Sequence, residues 1–508
     1  MLARVWSASL YGLDAVRVGV EVDVSGGLPG TVVVGLPDTA VQESRERVKA
    51  ALKNSGFAFP MRKIVVNLTP ADLRKEGPSF DLPISLGILA ASEQVDPQQL
   101  GDYLFLGEVS LDGSLRPVSG VLPIAAAALQ MGMTSLVVPE ANAREAAVVK
   151  GLSVYGCHNI AEVVELLNPP NTAKPVEIDL DRLLADDRQF HLDLKDVKGQ
   201  AHARRALEIA AAGGHNLIFV GPPGSGKTML ARRLPGILPP LSFDEALDVT
   251  KIYSVAGLLR NRGTLVTQRP FRSPHHSASG PSLVGGGSYP KPGEISLAHR
   301  GVLLLDEMAE FKRDVLEFLR QPLEDGCVTI SRTRQSVSFP AQFTLVASTN
   351  PCPCGYYGDP VQPCTCSPRQ REQYWAKLSG PLMDRIDLQV AVNRLKAEEI
   401  TQQAMGEASQ PVRSRVQMAR ERAAVRFEAE AICCNAEMQS RHLRQWCQLD
   451  NASQGLLEGA IRKLGLSARA TDRILKVART IADLAGDETV GANHVAEAIQ
   501  YRTIDRMH

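Results

Sequence analysis

The chain has 508 residues, and its 56 Lys and Arg residues balance its 56 Asp and Glu residues, so the formal net charge is zero. Hydrophobic residues make up 44% and charged residues 22%, which is usual for globular proteins and excludes the fibrous and disordered classes. The length predicts about three domains, and the balanced charge excludes a broadly basic surface for nucleic acid, so any basic patch must be local.

The sequence lacks the features that direct a chain to a membrane or to secretion. It contains no run of about 18 apolar residues. Its first residues, Met1–Ser7, are not a basic segment followed by a long apolar one. Nine cysteines without such a signal indicate a reducing compartment. We therefore expect a cytoplasmic protein with no membrane partner.

Residues 1–166 are predicted to form one α/β domain of short strands and helices. Val16–Val24 alternates with a period of two, as a half-buried strand does. The other predicted elements are strands at Thr31–Leu36, Lys63–Leu68 and Ser135–Pro139 and helices at Glu43–Asn54 and Leu82–Ser92. Residues 167–190 are predicted to be a linker, because Asn168–Pro175 is too rich in Pro and polar residues for a regular element.

Residues 191–394 are predicted to be a second domain, in which buried strands alternate with helices. The runs Leu217–Val220, Val302–Leu305 and Phe343–Ala347 are bounded and largely apolar, which is typical of a parallel sheet covered on both faces. Residues 395–508 are predicted to be a third, all-helical domain, with helices near 397–408, 412–429, 436–446, 452–464, 468–485 and 491–501.

A phosphate-binding loop follows the first of these apolar runs. Residues 221–228 read GPPGSGKT and stand between a predicted strand and the predicted helix Met229–Leu234, which is the context this motif requires. Backbone N–H groups and the helix N-terminus cradle phosphates in such loops. Lys227 is predicted to reach the β- and γ-phosphates, and Thr228 to ligate Mg²⁺. The predicted nucleotide ligands are Gly221, Pro222, Pro223, Gly224, Ser225, Gly226, Lys227 and Thr228.

Polar side chains also follow the other two runs. Asp306 and Glu307 directly follow Val302–Leu305, at the end of the strand where ligands bind in open α/β sheets. Asp306 is predicted to complete the Mg²⁺ shell, and Glu307 to polarise the attacking water. Asn350 follows the third run and is predicted to orient water beside Glu307, with a cap on the following turn as the alternative.

These motifs, with several longer stretches, resemble the ComM/YifB family of magnesium-chelatase-like AAA+ ATPases. The stretches are Asp196–Gln200, Arg272–His276, Leu283–Gly287, Pro292–Glu307, Asn350–Gly355 and Ser379–Asp387. The resemblance covers nearly the whole chain. It implies a P-loop AAA+ core of the α/β class, a C-terminal helical lid, and a homo-hexameric ring that binds ATP and Mg²⁺ between subunits.

The resemblance also implies roles for individual residues. Asn350 resembles the family's first sensor, and Arg385 resembles its arginine finger, which acts on the γ-phosphate of the neighbouring subunit. Arg469 resembles the second sensor, and Arg473, one helical turn later, is a competing candidate. The fixed charge and planar fork of Arg suit these roles. A surface ion pair is the alternative for each arginine.

Basic segments outside the ATPase motifs are candidates for DNA contacts. Cys327–Phe339 is predicted to be a hairpin, and related rings turn this insert towards the central pore, so Arg332 and Arg334 could contact a phosphate backbone. A solvated edge hairpin is the alternative. The Arg-rich helix Arg413–Arg426 favours DNA or a solvated lid face equally. The pair His275–His276 is expected to have a structural role in a loop.

Four cysteines form a cluster in an insert at 352–366. Cys352 and Cys354 are separated from Cys364 and Cys366 by a turn-rich loop, and four thiolates are typical of a closed, structural zinc site. Redox-active pairs and an iron–sulfur cluster are the alternatives.

Residues 1–166 resemble the proteolytic domain of Lon-type proteases, which has a ribosomal-S5-like α/β fold. The similar stretches are Lys75–Ser79 and Gly107–Leu122. Ser79 stands at the position of the nucleophile, but Leu122 stands where the family has its Lys base. A Ser without a base is a poor nucleophile. We therefore expect a ring scaffold or a DNA-contacting collar rather than a peptidase.

The function expected from these resemblances is that of an ATP-driven motor on single-stranded or branched DNA, as in branch migration during recombination or natural transformation. A magnesium-chelatase-type ATPase and a protein-remodelling chaperone without peptidase activity are the alternatives.

Overall fold

The computed structural model describes residues 1–168, 173–185, 192–259, 264–287, 290–332, 335–395, 406–430 and 432–502. The chain divides into two compact units, one made of Met1–Asp187 and Phe243–Thr267 and the other of Arg188–Ser242 and Gln268–His508. Residues 243–267, which were predicted to lie within the 191–394 domain, thus pack in the first unit. None of the described helices is long and apolar enough to cross a membrane.

A seven-stranded mixed sheet forms the centre of the first unit. The strands of this unit are β1 (Leu2–Tyr11), β2 (Asp14–Ser25), β3 (Gly30–Val34), β4 (Lys63–Thr69), β5 (Tyr103–Phe105), β6 (Glu108–Val109), β7 (Leu115–Arg116), β8 (Ser135–Pro139) and β9 (Ser153–Cys157). The sheet order is β3-β4-β2-β1-β5-β8-β9, and β6 and β7 form a separate hairpin. The β4–β2 and β2–β1 pairs are antiparallel, and the other pairs of the sheet are parallel.

Helices pack on both faces of this sheet. They are α1 (Thr39–Asn54), α2 (Asp81–Ala91), α3 (Val121–Ala128), α4 (Glu140–Ala146) and α5 (Ile160–Leu167). The unit also contains α6 (Leu180–Ala185) and, from the later segment, α10 (Phe243–Val255), which packs on α3. Successive strand residues point to opposite faces. On β5, Phe105 joins the apolar cluster of α1 and α2, whereas Leu104 joins the cluster of α3 and α4. A mixed α/β unit is confirmed, and the ribosomal-S5-like fold remains a prediction.

A five-stranded parallel sheet forms the centre of the second unit. The strands of this unit are β10 (Leu217–Val220), β11 (Phe271–Arg272), β12 (Gly285–Gly286), β13 (Lys291–Pro292), β14 (Val302–Leu305), β15 (Cys327–Arg332), β16 (Gln335–Pro340), β17 (Thr344–Thr349) and β18 (Leu388–Ala391). The sheet order is β11-β14-β17-β10-β18, and all four pairings are parallel. The remaining strands form the hairpins β12–β13 and β15–β16. The prediction of a buried parallel sheet is confirmed.

Helices surround this sheet and continue to the C-terminal region. They are α7 (Ala201–Gly213), α8 (Lys227–Ala231), α9 (Leu234–Ile237), α11 (Gly280–Val284), α12 (Glu294–Leu297), α13 (Arg313–Glu317), α14 (Arg320–Asp325), α15 (Pro368–Trp375), α16 (Gly380–Met383), α17 (Ser409–Arg426), α18 (Ser440–Trp446), α19 (Asn451–Leu464), α20 (Ala468–Ala485) and α21 (Ala492–Gln500). Both α17 and α20 pack on α7, which itself packs on β10 and β18.

The C-terminal helices largely match their predicted bounds. Helix α20 begins where the Ser467 side chain accepts a hydrogen bond from the Ala470 N–H, and it ends at Gly486 with φ of +88°, a conformation that favours Gly. The helix predicted at 436–446 begins later, at Ser440. The helix predicted at 397–408 falls mostly outside the described residues, and residues 406–408 are not helical.

The parallel sheet fixes where the candidate residues lie. Because all five strands run the same way, their carboxyl ends share one end of the sheet and their amino ends share the other. The phosphate-binding loop follows β10, Asp306 and Glu307 follow β14, and Asn350 follows β17. These residues therefore meet at the carboxyl end. The segment around Arg385 precedes β18 and lies at the amino end.

Candidate nucleotide site

The phosphate-binding loop joins β10 to α8 through glycines whose conformations other residues rarely adopt. Gly224 and Gly226 have φ values of +76° and +91°, which are accessible to Gly without steric cost. Gly221 lies so close to Val392 that an added Cβ would come within 2.0 Å of the Val392 carbonyl oxygen. The loop is therefore held against the chain that leaves β18.

Lys227 lies within this loop, and only 9% of its surface is exposed. Its ammonium group donates hydrogen bonds to the carbonyl oxygens of Gly221 at 2.7 Å and Pro222 at 2.9 Å, and to the Asn350 side-chain oxygen at 3.3 Å. Burial lowers the pKa of Lys227, and the nearby Asp306 and Glu307 carboxylates oppose this effect. The loop thus surrounds an ammonium group whose N–H groups could donate hydrogen bonds to phosphate oxygens.

Asp306 is held by two hydroxyl groups. Thr228 donates to one carboxylate oxygen at 2.9 Å, and Ser348 donates to the other. The Ser348 hydroxyl also accepts the Glu307 N–H at 3.3 Å. A hydroxyl beside a carboxylate supplies the hard oxygen ligands that Mg²⁺ requires. Ser348 was not among the predicted site residues, although its place at the end of β17, two residues before Asn350, was an available signal.

Glu307 has an unusual backbone and an unforeseen partner. Its φ is +53°, a value rare for residues other than Gly and frequent at functional sites. Its side chain is 58% exposed, and the Nδ1 atom of His276 lies 3.6 Å from the Glu307 Oε2 atom. The histidine pair was expected to have only a structural role. The structure instead places His276 beside the carboxylate predicted to act on water.

Asn350 lies between the two motif strands, as predicted. Strand β17 pairs with β10 on one side and β14 on the other. The Asn350 side chain therefore reaches Lys227, at the 3.3 Å distance given above. Its predicted role in orienting water remains a prediction.

The four cysteines of the insert come together. Their sulfur atoms all lie within 4.8 Å of one another. The Cys352 sulfur is 3.3 Å from that of Cys354 and 3.6 Å from that of Cys364. A disulfide bond measures about 2.05 Å, so these contacts are not disulfides. Four thiolates at about 2.3 Å from a tetrahedral zinc ion would be roughly 3.8 Å apart, and the observed cluster fits that arrangement.

The cysteine insert packs against the phosphate-binding loop. Gly355 has φ of +87°, and an added Cβ there would lie 2.7 Å from the Pro223 ring. The Trp375 indole N–H donates to the Pro351 carbonyl oxygen at 3.0 Å. The insert therefore supports the loop that surrounds Lys227, a contact that the sequence did not predict.

The three candidate arginines, Arg385, Arg469 and Arg473, line one pocket, which we name the arginine pocket. Its lining residues are Leu323, Glu324, Asp384, Arg385, Arg469, Asp472, Arg473 and Lys476. Arg385 forms an ion pair with Glu324 and donates to the Pro381 carbonyl oxygen at 2.6 Å. The structure thus brings the predicted finger together with both candidate second sensors. They lie at the amino end of the sheet, opposite the phosphate-binding loop of the same chain.

The structure describes the two basic segments that were predicted to contact DNA to different extents. Arg334 lies outside the described residues, as does the side chain of Arg332, so the predicted hairpin is present as β15–β16 without its basic turn being described. The five arginines of α17 have hydrogen-bond or ion-pair partners within the fold. Arg413, Arg420 and Arg422 donate to backbone carbonyl groups, and Arg415 and Arg426 pair with carboxylates. Arg422 is nonetheless exposed, and a DNA contact of this helix stays a prediction.

The first unit offers no catalytic partner to Ser79 among its described contacts. The Lys75 side chain is fully buried, and its ammonium group donates to the carbonyl oxygens of Pro70 and Leu73. Leu122, at the position of the missing base, is fully buried in the apolar core. The absence of peptidase activity stays a prediction.

Comparison with known proteins covers nearly the full length. Models described as magnesium chelatase, subunit ChlI, as subunit ChlI of Mg-chelatase, and as the ChlI C-terminal region match residues 193–400, 20–142 and 406–502. The chain is 46% identical to the competence protein ComM of Haemophilus influenzae, over 100% of this chain and 98% of that protein. It is 44% identical to the uncharacterized protein YifB of Escherichia coli, over 100% and 98%. Lon protease 2 of Bacillus subtilis is 28% identical over only 27% of this chain and 25% of its own length.

Proposed function

The chain belongs to the ComM and YifB family of magnesium-chelatase-like AAA+ proteins, and from this premise we propose that it is an ATP-hydrolysing ring motor that acts on DNA. The observation that carries the proposal is that the residues predicted to contact nucleotide lie at two opposite ends of the sheet. Lys227, Thr228 and Asp306 meet at one end of the parallel sheet, whereas Arg385 lies at the other. One subunit therefore holds the nucleotide, and the next subunit supplies the arginine.

The residues at the carboxyl end have distinct tasks. Lys227 binds the β- and γ-phosphates in place of its carbonyl acceptors, while Thr228 and Asp306 hold Mg²⁺, which neutralises phosphate charge. Glu307 polarises the attacking water, and Asn350 orients it. Of the other loop residues, Gly224, Ser225 and Gly226 approach the phosphates through their backbone N–H groups, whereas Pro222 and Pro223 have no N–H to donate.

The residues at the amino end act on the neighbouring nucleotide in a homo-hexameric ring. Arg385, whose side chain is 12% exposed, exchanges its ion pair with Glu324, whose side chain is 60% exposed, for the γ-phosphate of the adjacent subunit. The second sensor, Arg469 or Arg473, lines the same pocket and acts from the same subunit as the finger.

The cysteine cluster is proposed to hold one structural zinc ion. Cys352, Cys354, Cys364 and Cys366 supply four sulfur ligands. No ligand position is left for a reacting group in such a site, so the metal stabilises the fold rather than taking part in hydrolysis. Through Gly355 and Pro223, it supports the phosphate-binding loop.

DNA is the proposed substrate of the motor, in its single-stranded or branched forms. The support is the family: a relative 46% identical over the whole chain is named a competence protein. The hairpin β15–β16 is the proposed contact with the phosphate backbone. The first unit is proposed to serve as a scaffold or collar of the ring, with the Lon-type fold but without peptidase activity.

The decisive experiment measures the ATPase rate without DNA and with single-stranded DNA, duplex DNA or a four-way junction. We expect the single-stranded or branched forms to stimulate hydrolysis more than the duplex does. Equal rates under all four conditions would contradict the DNA motor. They would favour a magnesium-chelatase-type or protein-remodelling ATPase instead.

A further inference from the structure

A cleft in the first unit is lined by more cations than carboxylates. It has a volume of about 320 Å³ and lies between α1 and the segments that lead into β3 and β4. Its charged lining residues are Arg45, Glu46, Lys49 and Arg62, so three positive charges stand beside one negative charge and the net charge of the lining is +2. We name this site the basic cleft. The chain as a whole is neutral, and the cleft is a basic surface of the local kind that its composition permits.

The cations of the cleft differ from Arg47, which lies between them on α1. Arg47 donates to both carboxylate oxygens of the buried Asp81, at 2.9 and 3.0 Å, and so stabilises the fold. Lys49 and Arg62 are exposed, and neither side chain has a hydrogen bond or an ion pair within the part of the chain that the structure describes. Their charges are therefore available to a bound molecule.

The spacing of the helical cations points to an anion as that molecule. Arg45 and Lys49 are four residues apart on α1, so their side chains lie on the same face of the helix. Like charges at this spacing destabilise a helix. The stability of the fold therefore does not explain why these cations are close together, whereas a bound anion does. Phosphate matches both donors, because Arg presents a planar fork to its oxygens and Lys a compact charge.

An aromatic ring and an apolar side chain line the cleft beside the cations. Phe59 is half-buried, since it packs against the apolar cluster of α1 and α2 and also lines the cleft, and Met61 is 70% exposed. Proteins bind single-stranded nucleic acid by stacking its bases on aromatic rings while cations hold its backbone. An acidic peptide would use the cations and leave the ring without a partner. In a duplex, the bases are already stacked on one another. The ring therefore favours a single strand.

We propose that the basic cleft binds single-stranded DNA, with backbone phosphates on Arg45, Lys49 and Arg62 and a base against Phe59. The inference rests on the proposed DNA motor and deepens it, because it gives the first unit a DNA-binding site in addition to the hairpin β15–β16. Glu46 is the one carboxylate of the lining, and its charge opposes the binding of phosphate.

The first test measures the binding of a fluorescent oligothymidylate to the full-length protein by anisotropy at several salt concentrations. Replacing Lys49 and Arg62 together by Ala should weaken binding about tenfold. The slope of the logarithm of the binding constant against the logarithm of the salt concentration should become shallower by about 1.4, since each phosphate contact on a single strand contributes about 0.7. A merely structural role would not change this slope.

Arg144 offers a matched control for this test. It is exposed on α4, which packs on β9 at the opposite edge of the same sheet from β3. Arg144→Ala removes a cation from the same unit and should keep the wild-type affinity and salt dependence. Equal affinities in the double variant and in Arg144→Ala would overturn the proposal. Loss of ring assembly in the double variant, measured by native mass spectrometry, would show a contact between subunits and would also overturn it.

The second test separates a DNA site from a general anion site. Phe59→Leu keeps an apolar side chain but removes the ring, so we expect the affinity for the oligothymidylate to fall about fivefold. Glu46→Gln should raise the affinity about threefold, a gain that damage to the fold does not produce. A poly-glutamate chain should displace the labelled DNA far less well than unlabelled oligothymidylate does. Equal displacement would overturn the proposal in favour of an acidic protein partner.

The outcomes separate this inference from the proposed function. Wild-type protein that binds no single-stranded DNA contradicts both. If the wild type and the double variant bind it equally, the basic cleft is not the site and the DNA motor stands. If binding depends on the cleft but DNA does not change the ATPase rate, the motor is contradicted and the cleft stands.

Discussion

The two ends of the parallel sheet differ in how their functional groups are assembled. At the carboxyl end, Lys227, Thr228, Asp306 and Asn350 belong to short motifs that directly follow strands, and they contact one another. At the amino end, Arg385, Asp387 and Arg473 come from segments that only the packing of α20 and the start of β18 brings together. An end built from local motifs can serve the subunit's own nucleotide. In the proposed ring, the other end serves the nucleotide of a neighbouring subunit.

The largest expected effect lies at the carboxyl end and separates binding from hydrolysis. Lys227→Ala should abolish nucleotide binding and with it all hydrolysis, because Lys227 contacts phosphates in the ground state. Glu307→Gln should bind ATP normally and lower kcat by about 10²–10⁴, because it removes only the group acting on water. Binding of a fluorescent ATP analogue and steady-state ATPase rates measure the two effects. Equal loss of affinity in both variants would contradict this division.

The next effect lies at the amino end and should leave binding intact. Arg385→Ala should lower kcat by about 10³–10⁵, since an arginine donated in trans neutralises transition-state charge. ATP affinity and ring assembly should not change. Arg462, whose side chain is 81% exposed on α19, offers a matched control, and Arg462→Ala should keep the wild-type rate. A weakened affinity for ATP in Arg385→Ala would place this arginine with the ground-state ligands.

The cysteine cluster tests whether the carboxyl end depends on a metal. Protein purified without chelator should contain about one zinc per chain. Replacing Cys352 and Cys354 by Ser should remove the zinc and lower the melting temperature by several degrees. A loss of about 1 kcal/mol in the free energy of unfolding lowers the melting temperature of a large domain by roughly 2–4 °C. Elemental analysis and thermal denaturation measure both. Metal-free wild-type protein with an unchanged melting temperature in the variant would remove the zinc site.

The smallest expected effect concerns the contact between the cysteine insert and the phosphate-binding loop. Gly355→Ala would push a methyl group into the Pro223 ring, so we expect KM for ATP to rise about tenfold, equivalent to about 1.4 kcal/mol. Gly358 has a similar φ of +79°, but an added Cβ would meet no atom within 4 Å. Gly358→Ala should therefore keep the wild-type KM. Equal KM values in the two variants would show that the insert does not support the loop.

The sequence predicts the parts of the fold and site that depend on local motifs, but not those that depend on contacts between distant residues. The strands Leu217–Val220 and Val302–Leu305 have the predicted bounds, because short apolar runs next to glycines or carboxylates leave few alternatives. His215 and Asp387 could not be predicted as partners, since 172 residues separate them and neither belongs to a local motif. Likewise, the arginines of α17 look solvent-facing in sequence, although they bind carbonyl groups and carboxylates in the fold.

The contact between His276 and Glu307, at the carboxyl end, is another contact that the sequence did not predict. Adjacent histidines point apart on most backbones, so the sequence favoured a structural loop role over a metal site. Only the parallel pairing of β11 with β14 brings the loop after β11 next to the end of β14. Pairings between distant strands are the information that a local pattern lacks.

The shared site is tested most directly by mixing two inactive proteins, Lys227→Ala and Arg385→Ala. Some interfaces of a mixed ring pair the intact phosphate-binding loop of one subunit with the intact arginine of the other. We expect ATPase activity to return on mixing, with native mass spectrometry confirming that the subunits exchange. If the subunits exchange and no activity returns, or if a monomer hydrolyses ATP at an undiminished rate at all concentrations, then Arg385 does not act across the interface as proposed.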